Sequence, residues 1–438
     1  MGSFPSLPGR CAPGIVKTTI ISTGEEIIRG RTADTNAAFL AAQLAPAGFD
    51  VRRILAVGDD PDLLREEIAS SAADSALVVI TGGLGPTADD RTRRAIAEAL
   101  GRVLTEDADS RRCLEERLRS FGRQMTPGHL MQAMFPEGST VFPNPRGSAR
   151  GFACQAQGTW VVAMPGVPAE MLPMFTETVL PFLLDRLTPG RHVRMEAVSI
   201  FPASESEVDE RIADISAHGR NPSIGITVKD GVVSVSVRAW ADDAADAERL
   251  LAADLETLTE RFGDRIFGRG PATLADAVRE LLERRGMTIA VAESVTGGLV
   301  GHMLTDVPGI SRAFVGGVIA YADEVKVSRL GVPPGEIERH GAVSPQVAES
   351  MARGVCRLTG AHLGLSTTGI AGPTGGTVEK PVGLVYVGVC LEGETLSLRL
   401  GLRGDRWQIK DRASKHALNA ARLALLRGMC ALRSGTSG

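Results

Sequence analysis

The chain has 438 residues, of which 43% are hydrophobic and 23% are charged, and its formal net charge is -4. That length exceeds the size at which one hydrophobic core stops growing, so we expect two or three domains. Basic residues are scattered along the chain, which argues against nucleic acid as a partner. No apolar stretch reaches membrane-spanning length, which argues against a membrane protein.

The two ends and the cysteines bear on where the protein works. Residues 1–14 are rich in proline and glycine and lack an apolar core of signal-peptide length, so we expect a disordered extension there and a short tail at 433–438. The six cysteines are widely spaced and form no CxxC pair. This spacing argues against a zinc site or a disulfide framework and favours a reducing, cytoplasmic location.

From residue 15 to 189, apolar strand-like runs alternate with alanine-rich helical stretches. IVKTTIIST, FDVRRILAV and ALVVITGG are typical of strands, and helices are expected near 36–47 and 62–71. Strands separated by helices predict a parallel sheet with helices on both faces.

A glycine-rich loop, TGGLGPTADD, follows the third of these strands and precedes a helix. Gly82, Gly83 and Gly85 would let a phosphate approach the backbone near the start of that helix. Asp89 and Asp90 would repel a phosphate unless a hard cation lies between them, which suggests magnesium. A tight glycine turn and helix capping by an aspartate explain the same pattern, and the two roles can coexist.

The pattern changes near residue 190, where HVRMEAVSIF, a helix, the hairpin pair SIGITVKD and GVVSVSVRAW, and a long helix predict a small α+β domain. A second α/β unit follows, with strands expected at MTIAVAES, AFVGGVIAY and HLGLSTTG and a final sheet pair. Between strand and helix, AESVTGG places Ser294, Thr296, Gly297 and Gly298 where a hydroxyl and backbone N–H groups can meet an anion. Capping of the helix by Ser294 or Thr296 explains that turn equally well.

Ser311, Tyr321 and Lys326 supply a hydroxyl, a phenol and an amine within PGISRAFVGGVIAYADEVK. A nucleophilic serine needs a base, and a lysine desolvated by neighbouring apolar residues can provide it. Taken alone, the pair would be an ordinary core tyrosine and a solvated lysine. We interpret His302 and His340 as packing or loop residues.

TGEEIIRGRTADTN, TGGLGPTADDRT, NPRGSARGF and PGVPAEM, in that order, resemble the first domain of the competence/damage-inducible CinA family. The resemblance implies a molybdopterin-binding-like fold and hydrolysis of ADP-ribose that depends on a divalent metal such as magnesium or cobalt. The implied substrate-binding residues are Asn36, Gly82, Gly83 and Gly85, and the implied metal ligands are Glu26, Asp89 and Asp90. The sequence departs from the family at Gly24-Glu25-Glu26, where Gly-Asp-Glu is usual, and at Ser148-Ala149-Arg150.

Residues 190–268 resemble the KH-like connecting domain of that family. A KH domain that binds nucleic acid clamps the backbone with a GxxG loop, but HGRNPSIG places Gly219 and Gly225 at the wrong spacing. We therefore expect a structural spacer or a dimer element.

Residues 269–432 resemble the family's nicotinamide-nucleotide amidase domain, and HGAVS, GIAGP, KPVG and GDR complete the match. The resemblance implies hydrolysis of nicotinamide mononucleotide to nicotinate mononucleotide and ammonia, with no cofactor. The implied catalytic residues are Ser311, Tyr321 and Lys326, and the implied substrate-binding residues are Ser294, Thr296, Gly297, Gly298, Thr368, Gly369, Gly372 and Arg406. Arg406 suits a phosphate because its planar fork can bind two oxygens.

Local sequence does not distinguish Ser311 from Ser294 as the nucleophile. The choice of Ser311 depends on the resemblance and on the expectation that Ser311, which precedes the strand ending at Tyr321, shares one edge of the site with Lys326.

The expected architecture is α/β, with an N-terminal molybdopterin-binding-like three-layer domain, a small α+β KH-like middle domain and a C-terminal α/β amidohydrolase domain. Expected partners are nicotinamide mononucleotide, ADP-ribose and a second copy of the chain in a homodimer. Two alternatives stay open. One is a molybdopterin-binding or transferring module, and the other is a non-catalytic scaffold in DNA uptake or repair.

Overall fold

The computed structural model describes residues 16–87, 89–122, 124–187, 189–429 and 432, so the expected extension and tail lie outside the described residues. The chain forms two compact units. The first contains the described residues up to Arg194 together with Ala239–Leu250, and the second contains Met195–Arg238 and the described residues from Leu251 onward. In this part of the chain, no helix has the length and apolar character of a membrane span.

The first unit is built on a six-stranded sheet. The strands of the unit are β1 (Val16–Thr23), β2 (Phe49–Val57), β3 (Leu77–Thr81), β4 (Leu104–Glu106), β5 (Met134–Pro136), β6 (Thr140–Phe142), β7 (Gly151–Ala156) and β8 (Thr159–Met164), of which β4 and β5 pair in a separate two-stranded sheet. Its helices are α1 (Glu25–Ile28), α2 (Thr35–Leu44), α3 (Pro61–Asp74), α4 (Thr92–Ala99), α5 (Ala108–Ser120), α6 (Pro127–Met131), α7 (Pro168–Met174) and α8 (Leu180–Arg186). The sheet order is β2-β1-β3-β8-β7-β6, in which the first four strands are parallel.

Side chains of the central strands point alternately to the two faces of the sheet, and helices pack on each face, so the unit has three layers. Successive side chains of a strand point to opposite faces, and in β3 Val79 packs in one core while Val78 and Ile80 pack in another. One core also takes side chains from α2, α7 and α8, and the other from α3 and α4. Helices therefore cover both faces of the sheet, which confirms the predicted α/β architecture.

The middle segment contains β9 (His192–Ile200), α9 (Glu205–Ile212), β10 (Ser223–Lys229), β11 (Val232–Ala241), α10 (Ala244–Phe262) and β12 (Ile266–Arg269). Its four strands form a sheet in the order β10-β11-β9-β12. The segment therefore combines two helices with strands that include the predicted hairpin of β10 and β11, as the α+β prediction required.

The rest of the second unit is a five-stranded sheet between helices. Its strands are β13 (Ile289–Glu293), β14 (Phe314–Ile319), β15 (Leu363–Gly369), β16 (Leu384–Leu391) and β17 (Glu394–Gly401). Its helices are α11 (Leu274–Arg285), α12 (Leu299–Thr305), α13 (Asp323–Leu330), α14 (Pro334–His340), α15 (Pro345–Thr359) and α16 (Arg406–Arg427). The sheet order is β14-β13-β15-β16-β17, with β14, β13 and β15 parallel and the last two strands antiparallel.

Both sheets reverse their winding direction at one strand. In the first, β2 and β3 lie on opposite sides of β1, and in the second, β14 and β15 lie on opposite sides of β13. Ligands of open α/β sheets bind where the winding reverses, in the crevice outside the carboxyl ends of the strands. Two candidate functional sites follow from this topology. One lies at the turns after β1 and β3 of the first sheet, and the other lies at the turns after β13, β14 and β15 of the second.

His416 gives the second unit a predicted dependence on pH. Its ring lies on α16 at 4.8 Å from the ring of Phe201, and burial lowers the pKa of His416 to about 4, with a further contribution from Arg412. The unfolded chain, whose histidine titrates near 6.5, binds the extra proton first as the pH falls. Acidification from about pH 7.5 to about pH 5 should therefore cost roughly 2 kcal/mol of unfolding free energy through this group.

Urea denaturation of the wild type and of His416→Phe, followed by circular dichroism at both pH values, measures this contribution. The variant should lose less stability on acidification than the wild type does. An identical loss in both proteins would show that His416 does not contribute.

Candidate active sites

A small cavity lies at the carboxyl end of β13, β14 and β15 in the second unit. Its volume is about 230 Å³, and it is lined by Ser294, Val295, Tyr321, Asp323, Lys326, Ala342, Val343, Thr368, Gly369, Ala371 and Arg406. Ser294 follows β13 directly, Tyr321 follows β14, and Thr368 ends β15, so parallel pairing brings all three to one edge. The cavity therefore gathers a hydroxyl, a phenol and an amine.

Lys326 is the buried amine of this cavity. It lies in the first turns of α13, its side chain is only 2% exposed, and its Nζ donates to the backbone oxygen of Tyr321 at 3.1 Å and to Asp323 Oδ1 at 2.9 Å. The Asp323 side chain is 49% exposed and keeps contact with solvent. Lys326 is therefore held in one place by its own loop while its amine borders the cavity.

Arg406 closes another side of the cavity from the start of α16. Its guanidinium donates to the Tyr321 hydroxyl at 3.1 Å and to the backbone oxygen of Gly372 at 2.6 Å. Both acceptors are uncharged, so the positive charge of Arg406 stays available to an anionic ligand.

The turn that carries Ser294 is fixed by Glu293. The buried Glu293 carboxylate accepts from the Thr296 hydroxyl at 2.7 Å and from the backbone N–H groups of Gly298, Val300 and Gly301 at 2.8 to 3.1 Å. Charge-assisted hydrogen bonds of this kind are among the strongest in proteins. Sequence reasoning missed Glu293, although its place at the end of a strand just before a glycine turn was a usable signal.

Two expectations about this turn are corrected. Thr296 is 0% exposed and its hydroxyl contacts Glu293 and Thr367, so it supports the turn and does not reach a substrate. The N–H groups expected to meet an anion here include that of Gly298, which donates to Glu293 instead. Gly297 is exposed and remains accessible to a ligand.

Ser311 does not lie with Lys326. It sits in a 3-10 turn, Ile310–Arg312, before β14, whereas Tyr321 and Lys326 follow that strand. Because β14 is six residues long, its two ends are about 17 Å apart at roughly 3.3 Å per residue. The expectation that Ser311 shares an edge of the site with Lys326 is therefore wrong, and Ser294 is the serine that lines the cavity.

The remaining predicted residues of this unit fall in or beside the cavity. The Thr368 hydroxyl donates to the backbone oxygen of Ala342 at 2.8 Å, and Gly369 lies so close to β16 that a side chain there would collide with Leu384 and Val385. Gly372 takes part through its backbone oxygen. His302 and His340 do not line the cavity: His302 is exposed beside Asp306, and His340 ends α14.

In the first unit, the glycine loop after β3 packs tightly against the end of β1. Gly82 and Gly83 have φ values of +108° and +64°, and a side chain on either would collide with Thr23 or Thr92. The Asn36 amide donates to Thr81 Oγ1 at 3.1 Å and to the backbone oxygen of Gly166 at 2.7 Å. Asn36 thus joins the glycine loop to the PGVP segment.

Buried polar atoms without partners occur at this same edge. Thr23 Oγ1 and Asn36 Oδ1 are buried and have no hydrogen-bond partner in the described chain. Such atoms are costly to leave unpaired and are usually satisfied by a ligand or water.

The predicted metal ligands do not form a complete metal site in the described residues. Asp90 accepts from the Thr87 backbone N–H at 2.8 Å and from its hydroxyl at 2.6 Å, so it closes the loop at the start of α4. Among the described residues, no group of three or more acidic, histidine or cysteine side chains could hold a metal ion. The set Glu26, Asp89 and Asp90 therefore does not form a ready-made metal cage.

Asp59, which sequence reasoning missed, instead lies where the acidic charges meet. Burial raises the pKa of the Asp59 carboxyl, and the charges of Glu25, Asp89 and Glu26 raise it further. The signal in the sequence was VGDD, two aspartates and a glycine directly after β2.

Comparisons with known proteins match the whole described architecture. Residues 19–185 match the probable molybdopterin binding domain, residues 197–268 the damage-inducible protein CinA KH domain, and residues 271–425 the CinA C-terminal domain. A CinA-like protein of Dictyoglomus thermophilum is 38% identical over 94% of this chain and 100% of its own length. A CinA-like protein of Gemmatimonas aurantiaca is 42% identical over 93% of this chain and 96% of its own. The crystal structure of competence/damage inducible protein CihA from Agrobacterium tumefaciens is 34% identical, covers 35% of this chain and 94% of its own, and superposes with a TM-score of 0.34.

Proposed function

This chain belongs to the CinA family, and on that premise we propose that its second unit hydrolyses the carboxamide of nicotinamide mononucleotide to the acid and ammonia. The observation that carries the proposal is that the Ser294 hydroxyl and the buried amine of Lys326 line one cavity. A serine beside a lysine base is an established arrangement for acyl transfer. The resemblance described above supplies the nucleotide as the substrate.

Ser294 acts as the nucleophile in this proposal. Its Oγ attacks the carboxamide carbon while its proton moves to Lys326 Nζ, and the tetrahedral intermediate then expels ammonia, which takes that proton. The resulting ester on Ser294 is cleaved by water, again with Lys326 as the base, which releases the carboxylic acid. The Asp323 carboxylate, 2.9 Å from Nζ, stabilises the ammonium that Lys326 becomes during each transfer.

Tyr321 and Arg406 complete the site. The Tyr321 hydroxyl accepts a hydrogen bond from Arg406, so its own O–H is free to donate into the cavity. That phenol can stabilise the negative charge on the oxygen of the intermediate, as fixed donors do in other acyl-transfer sites. Arg406 holds the phenol in place and supplies positive charge for the nucleotide.

The direct test is to incubate the full chain with nicotinamide mononucleotide and measure ammonia together with nicotinate mononucleotide. We expect turnover without added metal and no loss of turnover in the presence of a chelator. Failure to release ammonia at substrate concentrations in the millimolar range would refute the amidase.

We also propose that the first unit hydrolyses the pyrophosphate of ADP-ribose with a divalent cation. The observation in favour is that Asp59 lies within electrostatic reach of other acidic side chains, at the sheet edge where Thr23 and Asn36 carry unpaired buried oxygens. Magnesium is commonly held by one or two carboxylates together with substrate phosphates, so a preformed cage is not required. Asp59 and Asp89 would contribute the carboxylates, and the bound cation would neutralise charge on the pyrophosphate.

Asp59→Asn is expected to lower ADP-ribose hydrolysis by roughly a hundredfold, because one carboxylate ligand becomes a neutral amide. The measurement is the release of AMP over a series of magnesium concentrations, with Asp62→Asn, an exposed acid of α3, as the matched control. Circular dichroism and thermal unfolding report whether the variant is folded. Full activity in Asp59→Asn, or binding of a pterin without any ADP-ribose hydrolysis, would contradict the proposal.

A further inference from the structure

Two cationic side chains in the first turns of α16, those of Arg406 and Lys410, lie beside the turn that carries Ser294. Arg406 and Lys410 are four residues apart, so they lie on the same face of the helix. Arg406 lines the cavity with Ser294. Lys410 reaches Gly297, where its Nζ lies 3.6 Å from the position that a Cβ on that glycine would occupy. The two positive charges thus border one region of the site.

Neither charge is neutralised by the protein. Arg406 donates to a phenol and a backbone oxygen, and Lys410 has no carboxylate partner among the described residues. Two other lysines of the unit differ in this respect, since Lys415 is paired with Asp411 at 2.7 Å and Lys326 with Asp323 at 2.9 Å. The oxygens of Glu293 are already occupied by donors of the turn. Both charges therefore stay available to an anionic ligand that approaches from solvent.

Gly297 leaves the Lys410 amine open to solvent. The glycine is exposed, and among the described residues Lys410 Nζ is the one atom that a Cβ at this position would approach. A ligand in the solvent beside the turn can therefore contact the ammonium without meeting a side chain at this position. A phosphomonoester is a dianion near neutral pH and matches two positive charges better than a single carboxylate does.

We propose that Lys410 and Arg406 form the subsite for the phosphate of the nucleotide, and that Lys410 makes the amidase select a nucleotide over the corresponding riboside. The proposal depends on the amidase for the identity of the substrate, whereas the anion subsite is argued from the charges alone. Lys410 does not line the cavity that holds Ser294 and Lys326, so it acts on binding and leaves the chemical steps to other residues.

The test compares nicotinamide mononucleotide with nicotinamide riboside, which lacks the phosphate. Lys410→Ala should lower kcat/KM for the mononucleotide by roughly 10- to 100-fold, mainly through KM, because one charge-assisted contact is lost. The value for the riboside should stay unchanged, and Lys410→Arg should restore most of the preference. Arg412→Ala removes a cation from the same helix outside the site and should leave both values unchanged.

The outcomes separate the two proposals. Equal losses for both substrates in Lys410→Ala, or no loss for either, would overturn the phosphate subsite while leaving the amidase intact. If the wild type hydrolyses neither substrate, the amidase proposal fails, and calorimetric titration with nicotinate mononucleotide decides the subsite. Binding that weakens about tenfold or more in Lys410→Ala supports the subsite, and equal binding in both proteins overturns it.

Discussion

Ser294→Ala should abolish hydrolysis of nicotinamide mononucleotide, with kcat lowered by roughly a thousandfold or more, whereas Ser311→Ala should keep nearly full activity. Removal of a nucleophile takes away the covalent route, and no neighbouring group can replace its oxygen. Ser311 is exposed and lies before β14, at the end of the strand away from Lys326. Within the described chain, its hydroxyl therefore lies at the opposite end of the strand from the proposed site of reaction.

Ammonia release under saturating substrate measures kcat for both variants, and circular dichroism verifies that each is folded. Mass spectrometry of the wild type quenched during turnover should place an acyl group on the peptide that contains Ser294. If Ser311→Ala were inactive while Ser294→Ala stayed active, the nucleophile would be Ser311.

Lys326→Met should also remove at least roughly a thousandfold of kcat, but it should leave the fold stable. The side chain of Lys326 is buried, and methionine has a similar length with no charge, so the space stays filled. Asp323 loses its partner, yet it is half exposed and stays hydrated. We therefore expect this variant to lose its amidase activity while it keeps its stability.

Thermal unfolding and ammonia release are the two measurements, and Lys229→Met, the same change at an exposed position of β10, is the matched control. We expect melting temperatures within a few degrees of the wild type for both variants, and activity in the control alone. If Lys326→Met kept substantial kcat, Lys326 would be a structural residue and another group would act as the base.

Much of the fold was predictable because the signals are local. Alternating strands and helices indicated both sheets, and the glycine turns after β3 and β13 indicated the edges where the candidate sites lie. The error at Ser311 came from treating nearness in sequence as nearness in space. In a parallel sheet, residues that follow strands meet at one edge, and Ser294 and Tyr321 both follow strands while Ser311 precedes one.

Other features depend on contacts that no local pattern reveals. Thr296 was predicted to bind substrate because it is a hydroxyl in a glycine turn, but its hydroxyl contacts Glu293 and Thr367, a residue far along the chain. Asp90 was predicted as a metal ligand because it adjoins Asp89, but its carboxylate closes its own loop on Thr87. Hydrogen bonds within each loop, and for Thr296 also to a distant strand, determined the role of each residue, and sequence spacing alone did not reveal them.

The four hydrogen bonds to Glu293 have a consequence for how the site binds substrate. Helix N-termini often remain open until an anion arrives and orders the loop before them. Here a carboxylate of the chain itself already occupies that place, so the backbone on either side of Ser294 is ordered by folding. The conformational entropy of this turn is lost once, when the protein folds, and binding energy from the nucleotide remains available to position its carboxamide.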